Sequence, residues 1–251
     1  MRAWAVGIIS IAAAGAASSC GGEGGDRLDV FAASSLVSAL PVYAQRFHGP
    51  SPAFSFAGSD QLAAQIRQGV RPDVFASADT AYPAALHRAG LAGKPVDFAT
   101  NRLVIAVPND ASPVRSLASL ARPGVQVAIG TPSVPAGAYA REVLGRLPGQ
   151  KRRAILANVA DQEPSVEGIV AKLAEGAVDA GLVYATDVSA ASGKLRAIPL
   201  PRRLRPRVVY AAAVVRGSAE RAAARRFVAG LRHGAGQEAL RAAGFGPSPH
   251  R

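Results

Sequence analysis

The sequence predicts an α/β protein built as two blocks, with its last segments returning to the first block. Three observations carry this. Apolar strand-like runs alternate with helix-like segments from residue 28 onward, the pattern of layered α/β folds. Several strand-to-helix junctions carry Ser or small residues. The apolar run 208–215, late in the chain, can carry it back to the opening block. A length of 251 residues suits one large domain or two small ones. A hydrophobic content of 49% is enough to bury a core.

In order, residues 28–33 read as a strand, followed by a helix capped by Ser34 or Ser35. Leu36, Leu40, Tyr43 and Phe47 form its apolar face, and Pro41, beyond a first turn, predicts a kink or a tightened turn. Residues 53–57 read as a second strand. Ser59 is expected to cap the next helix, with Leu62 and Ile66 inward and Gly69 as its stop. A third strand covers 73–76, a helix covers 80–90, and 103–107 is strongly apolar. The second block begins near Pro108. It has a short helix at 116–120, a strand at 125–129, a loop at 131–135 and a helix at 136–147. Ser165 caps a helix carrying Val166, Ile169, Val170 and Leu173 and ending at Gly176, and a strand at 180–184 follows. After the strand at 208–215, helices at 218–232 and 234–243 finish the chain.

Five segments suggest an oxyanion site. They are Phe31-Ala-Ala-Ser-Ser-Leu36, Ala57-Gly-Ser-Asp-Gln-Leu62, Pro72-Asp-Val-Phe-Ala-Ser-Ala-Asp79, Val134-Pro-Ala-Gly-Ala-Tyr139 and Asp179-Ala-Gly-Leu-Val-Tyr-Ala-Thr-Asp187. Helix N-termini offer unpaired N–H groups and the positive end of the helix dipole. Several aimed at one point bind an anion without a charged side chain. Read alone, Ser35 and Ser59 are more often helix caps than ligands, Tyr184 is open between a core ring and a ligand role, and Asp73, Asp79 and Asp187 are open to capping, turn or ligand roles.

Other chemistries find little support. His48, His87, His233 and His250 are isolated, without zinc-site spacing. There is no Gly-x-Ser-x-Gly elbow and no phosphate loop ending in Gly-Lys-Ser/Thr, so the chain is not read as an enzyme. The net charge of +12 raises nucleic-acid binding. The arginines are scattered, however, and lack interleaved aromatics for base stacking. The densest cluster, Pro201-Arg-Arg-Leu-Arg-Pro-Arg207, reads as a solvated connection. No nucleic-acid partner is expected, and a positive surface can steer small anions toward a cleft.

The N-terminus reads as an export signal. Met1-Arg2 is followed by an apolar run over 5–17, then Ala17-Ser-Ser-Cys20 and Gly21-Gly22. The run is too short to span a bilayer. Small residues before the only cysteine resemble a bacterial lipoprotein box, which implies cleavage before Cys20 and lipid on its thiol. Residues 1–19 are then a signal peptide and 20–27 a flexible tether.

The five segments, in this order, resemble the periplasmic molybdate-binding proteins of ABC importers, the ModA family, over roughly residues 28–246. The resemblance implies a two-lobe periplasmic binding protein fold of the class II type, with a ligand cleft between lobes and a two-strand hinge at 102–107 and 208–215. Lobe 1 is expected over 28–106 plus 210–251, and lobe 2 over 107–209. Carried over position by position, Ser35 and Ser59 supply hydroxyl and backbone donors. Ala136 and Val166 supply backbone N–H groups, and Tyr184 its phenol. The oxyanion is held through these residues with no direct metal ligand and no cofactor. The implied function is extracytoplasmic capture of molybdate, and of tungstate, for an ABC permease and its ATPase. The protein would act as a monomer held at the membrane by its lipid. A sulfate-type oxyanion protein and an anchored oxyanion sensor are the alternatives; an iron site would call for clustered Tyr, His and carboxylate. Asp60 departs from the neutral residue common after Ser59, and is expected to point outward because a carboxylate in the cleft would repel a dianion.

Overall fold

The computed structural model describes residues 27–110 and 112–249. The signal peptide, Cys20 and all of the tether except Arg27 lie outside them. The elements are β1 (Arg27–Ala33), α1 (Leu40–Ala44), β2 (Ser51–Ala57), α2 (Ser59–Arg67), β3 (Val74–Ser77), α3 (Ala81–Arg88), β4 (Val96–Asn101) and β5 (Leu103–Pro108). Then come β6 (Val127–Gly130), α4 (Pro135–Gly145), α5 (Gly149–Ala157), β7 (Val159–Glu163), α6 (Val166–Ala174) and β8 (Ala180–Tyr184). The last are α7 (Ala185–Ala190), β9 (Leu195–Pro199), β10 (Val208–Val214), α8 (Arg221–Arg232) and α9 (Ala235–Ala242).

They form two five-stranded sheets, ordered β2-β1-β3-β10-β4 and β7-β6-β8-β5-β9. In each, three strands run parallel and the fourth runs antiparallel to its neighbours. That fourth strand enters from the other lobe: β10 follows the β9 connection, and β5 follows β4 after Arg102 alone. The two lobes thus exchange strands at two crossovers. Because β5 pairs with β8 and β9, residues 103–106 belong to lobe 2, not to lobe 1 as expected. Val208 and Val209 pair with β4 and belong to lobe 1. The hinge is therefore the peptide around Arg102 and the 200–207 connection. The strands themselves are anchored within one sheet each, where ladder hydrogen bonds hold them.

Period-2 alternation explains how each sheet is buried on both faces. Leu28, Val30 and Ala32 of β1 point into the main core, which spans both lobes. Phe31 points to a second cluster with Leu62, Ile66, Phe75 and Leu86 under α2 and α3. Val104, Ala106, Ile169 and Leu173 form the matching cluster in lobe 2. Pro41 does not kink a helix. The chain makes a 3-10 turn at Ser34–Leu36 and starts α1 afresh with Pro41 in its first turn, where a missing N–H costs nothing.

Candidate functional site

The cavity between the lobes lies at the C-terminal ends of parallel strands from both sheets, where ligands of open α/β sheets sit. Ser34 and Ser35 follow β1, Gly58 and Ser59 follow β2, and Ala78 follows β3. From lobe 2 come Val134, Pro135 and Ala136 after β6, Ser165 and Val166 after β7, and Tyr184 at the end of β8. All five residues expected at the site line this one cavity. Its free volume is about 10 Å³, far below the several hundred Å³ of drug-sized sites. No charged side chain lines it.

Each donor is positioned by local geometry. α2, α4 and α6 begin at the cavity. Ser59 and Val166 are first helical residues and Ala136 a second, so their N–H groups have no intrahelical acceptor. Ser165 caps α6 as expected, its hydroxyl accepting from the Gly168 N–H at 3.4 Å. Pro135 opens α4. The glycine of the Val-Pro-Ala-Gly segment allows the close approach behind it: a Cβ on Gly137 would fall 2.4 Å from the Gly130 carbonyl oxygen.

Ser35 and Ser59 are not helix caps. Ala33 and Gly58 occupy the cap positions and neither makes a side-chain cap bond. Ser59 sits one residue inside α2, and its oxygen accepts the Ala78 N–H at 3.1 Å. Its own proton is thereby left for the cavity. Ser35 Oγ lies 2.7 Å from the Tyr210 hydroxyl, and Asn101 Nδ2 approaches the same Tyr210 oxygen at 3.4 Å. Asn101 stands at the β4–β5 crossover and also donates to Thr186 Oγ1 of lobe 2 at 2.9 Å. Asn101, Tyr210 and Ser35 thus form one chain of hydrogen bonds that ends at the cavity.

Tyr184 is 1% exposed, and its phenol oxygen is buried with no hydrogen-bond partner. An unpaired buried hydroxyl costs about 1–3 kcal/mol. Burial pushes the phenols of Tyr184 and Tyr210 well above their ordinary value, so both stay protonated donors. The three aspartates left open by the sequence do not line the cavity. Asp73 accepts from the Asp29 N–H, Asp79 from the Tyr82 N–H at the start of α3, and Asp187 from the Tyr184 N–H at 2.8 Å. Burial raises the Asp187 carboxyl to about 7.

Asp60 stays out of the cavity but does not point to solvent. Its Oδ2 accepts from Ser133 Oγ of lobe 2 at 2.6 Å, because the opposing loop presents that hydroxyl to the α2 start. Tyr82 OH donates to the Ser133 carbonyl at 2.6 Å. The lobes are therefore latched beside the site. Sequence reasoning missed Tyr210, Asn101 and this latch. One signal was present: Tyr210 carries the only polar group in the otherwise aliphatic β10.

A family model described as a bacterial extracellular solute-binding protein matches residues 28–246. The chain is 39% identical over 229 residues to the molybdate-binding protein ModA of Mycobacterium tuberculosis, covering 89% of this chain and 85% of that one. The periplasmic molybdate-binding protein of Azotobacter vinelandii superposes with a TM-score of 0.76 at 26% identity, over 89% of this chain and 100% of that one. The sulfate-binding protein SubI of Mycobacterium tuberculosis, at 18% identity and a TM-score of 0.76 over 88% of this chain and 86% of that one, shares the fold. With a donor-lined cavity between two strand-exchanged lobes, the chain belongs to the bacterial extracellular solute-binding proteins and, among them, to the ModA family.

Proposed function

We propose that this protein captures molybdate, and tungstate of the same charge and shape, outside the cytoplasm and delivers it to an ABC permease, without catalysis and without a cofactor. The observation that carries the reading is the buried, unpartnered Tyr184 phenol in a cavity of donors from both lobes. A fully deprotonated tetrahedral dianion accepts at every oxygen. The Ser35 and Ser59 hydroxyls, the N–H groups of Ser59, Ala136 and Val166, and the Tyr184 phenol give it only donors. A protonated anion would turn one of these hydroxyls from donor into acceptor and so lose a bond to its own oxygens. Helix dipoles supply the compensating partial positive charge. Closure of the lobes removes water, which strengthens each of these bonds.

Thermal unfolding of residues 21–251, which hold both sheets and the core, tests the ligand with molybdate, tungstate, sulfate and phosphate in turn. A hundredfold excess over Kd adds about 2.7 kcal/mol, or roughly 5–10 °C in Tm. Shifts with molybdate and tungstate alone are expected; a shift with sulfate alone would overturn the ligand. The anchoring at Cys20 has its own test. Mass spectrometry of cell-derived protein should find the lipidated cysteine as the new N-terminus, and an unmodified chain starting elsewhere refutes it.

A further inference from the structure

A second cavity, larger than the cleft, lies elsewhere. It measures about 660 Å³ and lies on the outside of lobe 1, between the β4 and β10 ends and α8. Five cations line it, Lys94, Arg216, Arg221, Arg225 and Arg232, and no acidic side chain does. All five are exposed, and none makes an ion pair among the described residues. Arg221, Arg225 and Arg232 stand four and seven residues apart, so they share one face of α8 above Val228. Like charges at the four-residue spacing destabilise a helix, and among the described residues none of the five is paired with a carboxylate.

Sheet register gives the location. The cleft lies at the C-terminal ends of β1, β2 and β3. Val30 of β1 pairs with Val74 of β3, which pairs with Val214 of β10. The start of β1 is therefore at the same sheet end as Val214 and Arg216, opposite the cleft. The Asp73 carboxylate ties this pole together, accepting from the Asp29 N–H at 2.8 Å, the Ser218 hydroxyl at 2.6 Å and the Glu220 N–H at 3.2 Å. The N-terminal segment thus joins the folded protein at its basic pole.

We propose that this pole is a binding site for the anionic phosphate headgroups of a membrane surface. It would seat lobe 1 on the bilayer with the cleft facing away. The seven-residue step from Cys20 to Arg27 reaches at most about 25 Å. On the anchored reading above, the basic pole is then the part of the protein held nearest the lipid. A concave cluster of unpaired cations also acts without an anchor, because each Lys or Arg at an anionic surface strengthens partition about five-fold.

The test uses residues 21–251 without lipid, so it does not depend on Cys20, and reads co-sedimentation with vesicles. Binding to phosphatidylcholine vesicles containing phosphatidylglycerol, but not to phosphatidylcholine alone, is expected, and it should weaken as salt rises. The combined variant Lys94→Gln, Arg221→Gln, Arg225→Gln and Arg232→Gln should lose about 100-fold or more in partition, from the per-cation factor, while keeping its molybdate-induced Tm shift. That retained shift shows it is folded and separates this site from the cleft. A control removes four exposed cations elsewhere, Arg152, Arg153, Arg202 and Arg203, each to Gln, and should lose far less. Equal loss in both variants would reduce the effect to net charge and overturn the site. Absence of wild-type binding to the acidic vesicles overturns it as well. So does protection of the pole by inorganic phosphate without vesicle binding, which would make it a soluble-anion site.

Discussion

Replacing Tyr184 with Phe should have two effects of opposite sign. The phenol oxygen is buried without a protein partner. Removing it relieves a desolvation cost of about 1–3 kcal/mol and leaves the ring, 1% exposed, packed edge-on against Tyr210 at 5.7 Å. For a protein of this size about 2–4 °C of Tm accompanies each kcal/mol, so the variant should melt a few degrees higher than wild type without ligand. With molybdate the order reverses. A hydrogen bond to a charged group is worth about 1.5–3 kcal/mol, so the variant should bind some 10- to 150-fold more weakly. Calorimetric titration and thermal unfolding, run with and without molybdate, read both quantities. A variant that melts lower without ligand and binds as tightly as wild type would refute the assignment, because Tyr184 would then be a structural ring.

Ser35→Ala and Ser59→Ala should each weaken molybdate binding by about 1.5–3 kcal/mol. Both should also lower the unliganded Tm, because Ser59→Ala strands the Ala78 N–H that Ser59 accepts and Ser35→Ala removes a partner of the buried Tyr210 hydroxyl; unchanged affinity in both variants would remove the serines from the site. Asp187 titrates at about 7 when folded and near 4 when unfolded. Between these values the folded protein holds the extra proton, so stability should fall as pH rises from about 4 to about 7 and then level off. Asp187→Asn should flatten that slope and melt higher than wild type at pH 8, as followed by unfolding across pH; an unchanged slope would exclude Asp187 as its source. Gly58→Ala tests closure, since the added Cβ would fall 2.4 Å from the Pro164 carbonyl oxygen of the opposite lobe. Small-angle scattering with molybdate should show a more open molecule and titration a weaker one, whereas wild-type compaction would refute a role for this contact.

Much of the fold was legible because its strands are short apolar runs bounded by glycine or serine. β8 falls where the apolar run 180–184 places it, and Ser165 caps α6 through an ordinary local signal. The missed elements lack such signals. β4 mixes Asp97, Thr100 and Asn101 with its apolar residues and is only partly buried, and β7 alternates between half-buried and exposed positions. α5 carries Lys151, Arg152 and Arg153 and fully buries only Ile155. At the site, the five lining residues could be carried over from motifs. How Ser35 is held could not, since its partner Tyr210 lies 175 positions away, and no local pattern encodes a bond closed only by the return of β10. The misreading of Ser59 as a cap has the same origin, because the N–H it accepts comes from the end of β3 and not from its own helix.

Charge and specificity are separated in this molecule, and the separation has a physical logic. A lysine or arginine inside the cleft would attract any small anion by its charge, whatever the anion's shape. The cavity has no charged lining, so it offers fixed dipoles and hydroxyls that each demand an acceptor. The excess positive charge of +12 acts from outside, where it raises the local concentration of anions at range but is screened within about 8–10 Å and cannot choose among them. Selection is left to the count and direction of donors. That count depends on how Ser35 is held, and its Oγ lies 2.7 Å from the Tyr210 hydroxyl. Tyr210 in turn is bonded to Asn101 at the crossover between lobes. A change of hinge angle that moves Asn101 therefore alters the donor set seen by the anion, so closure and discrimination are coupled through one chain of hydrogen bonds.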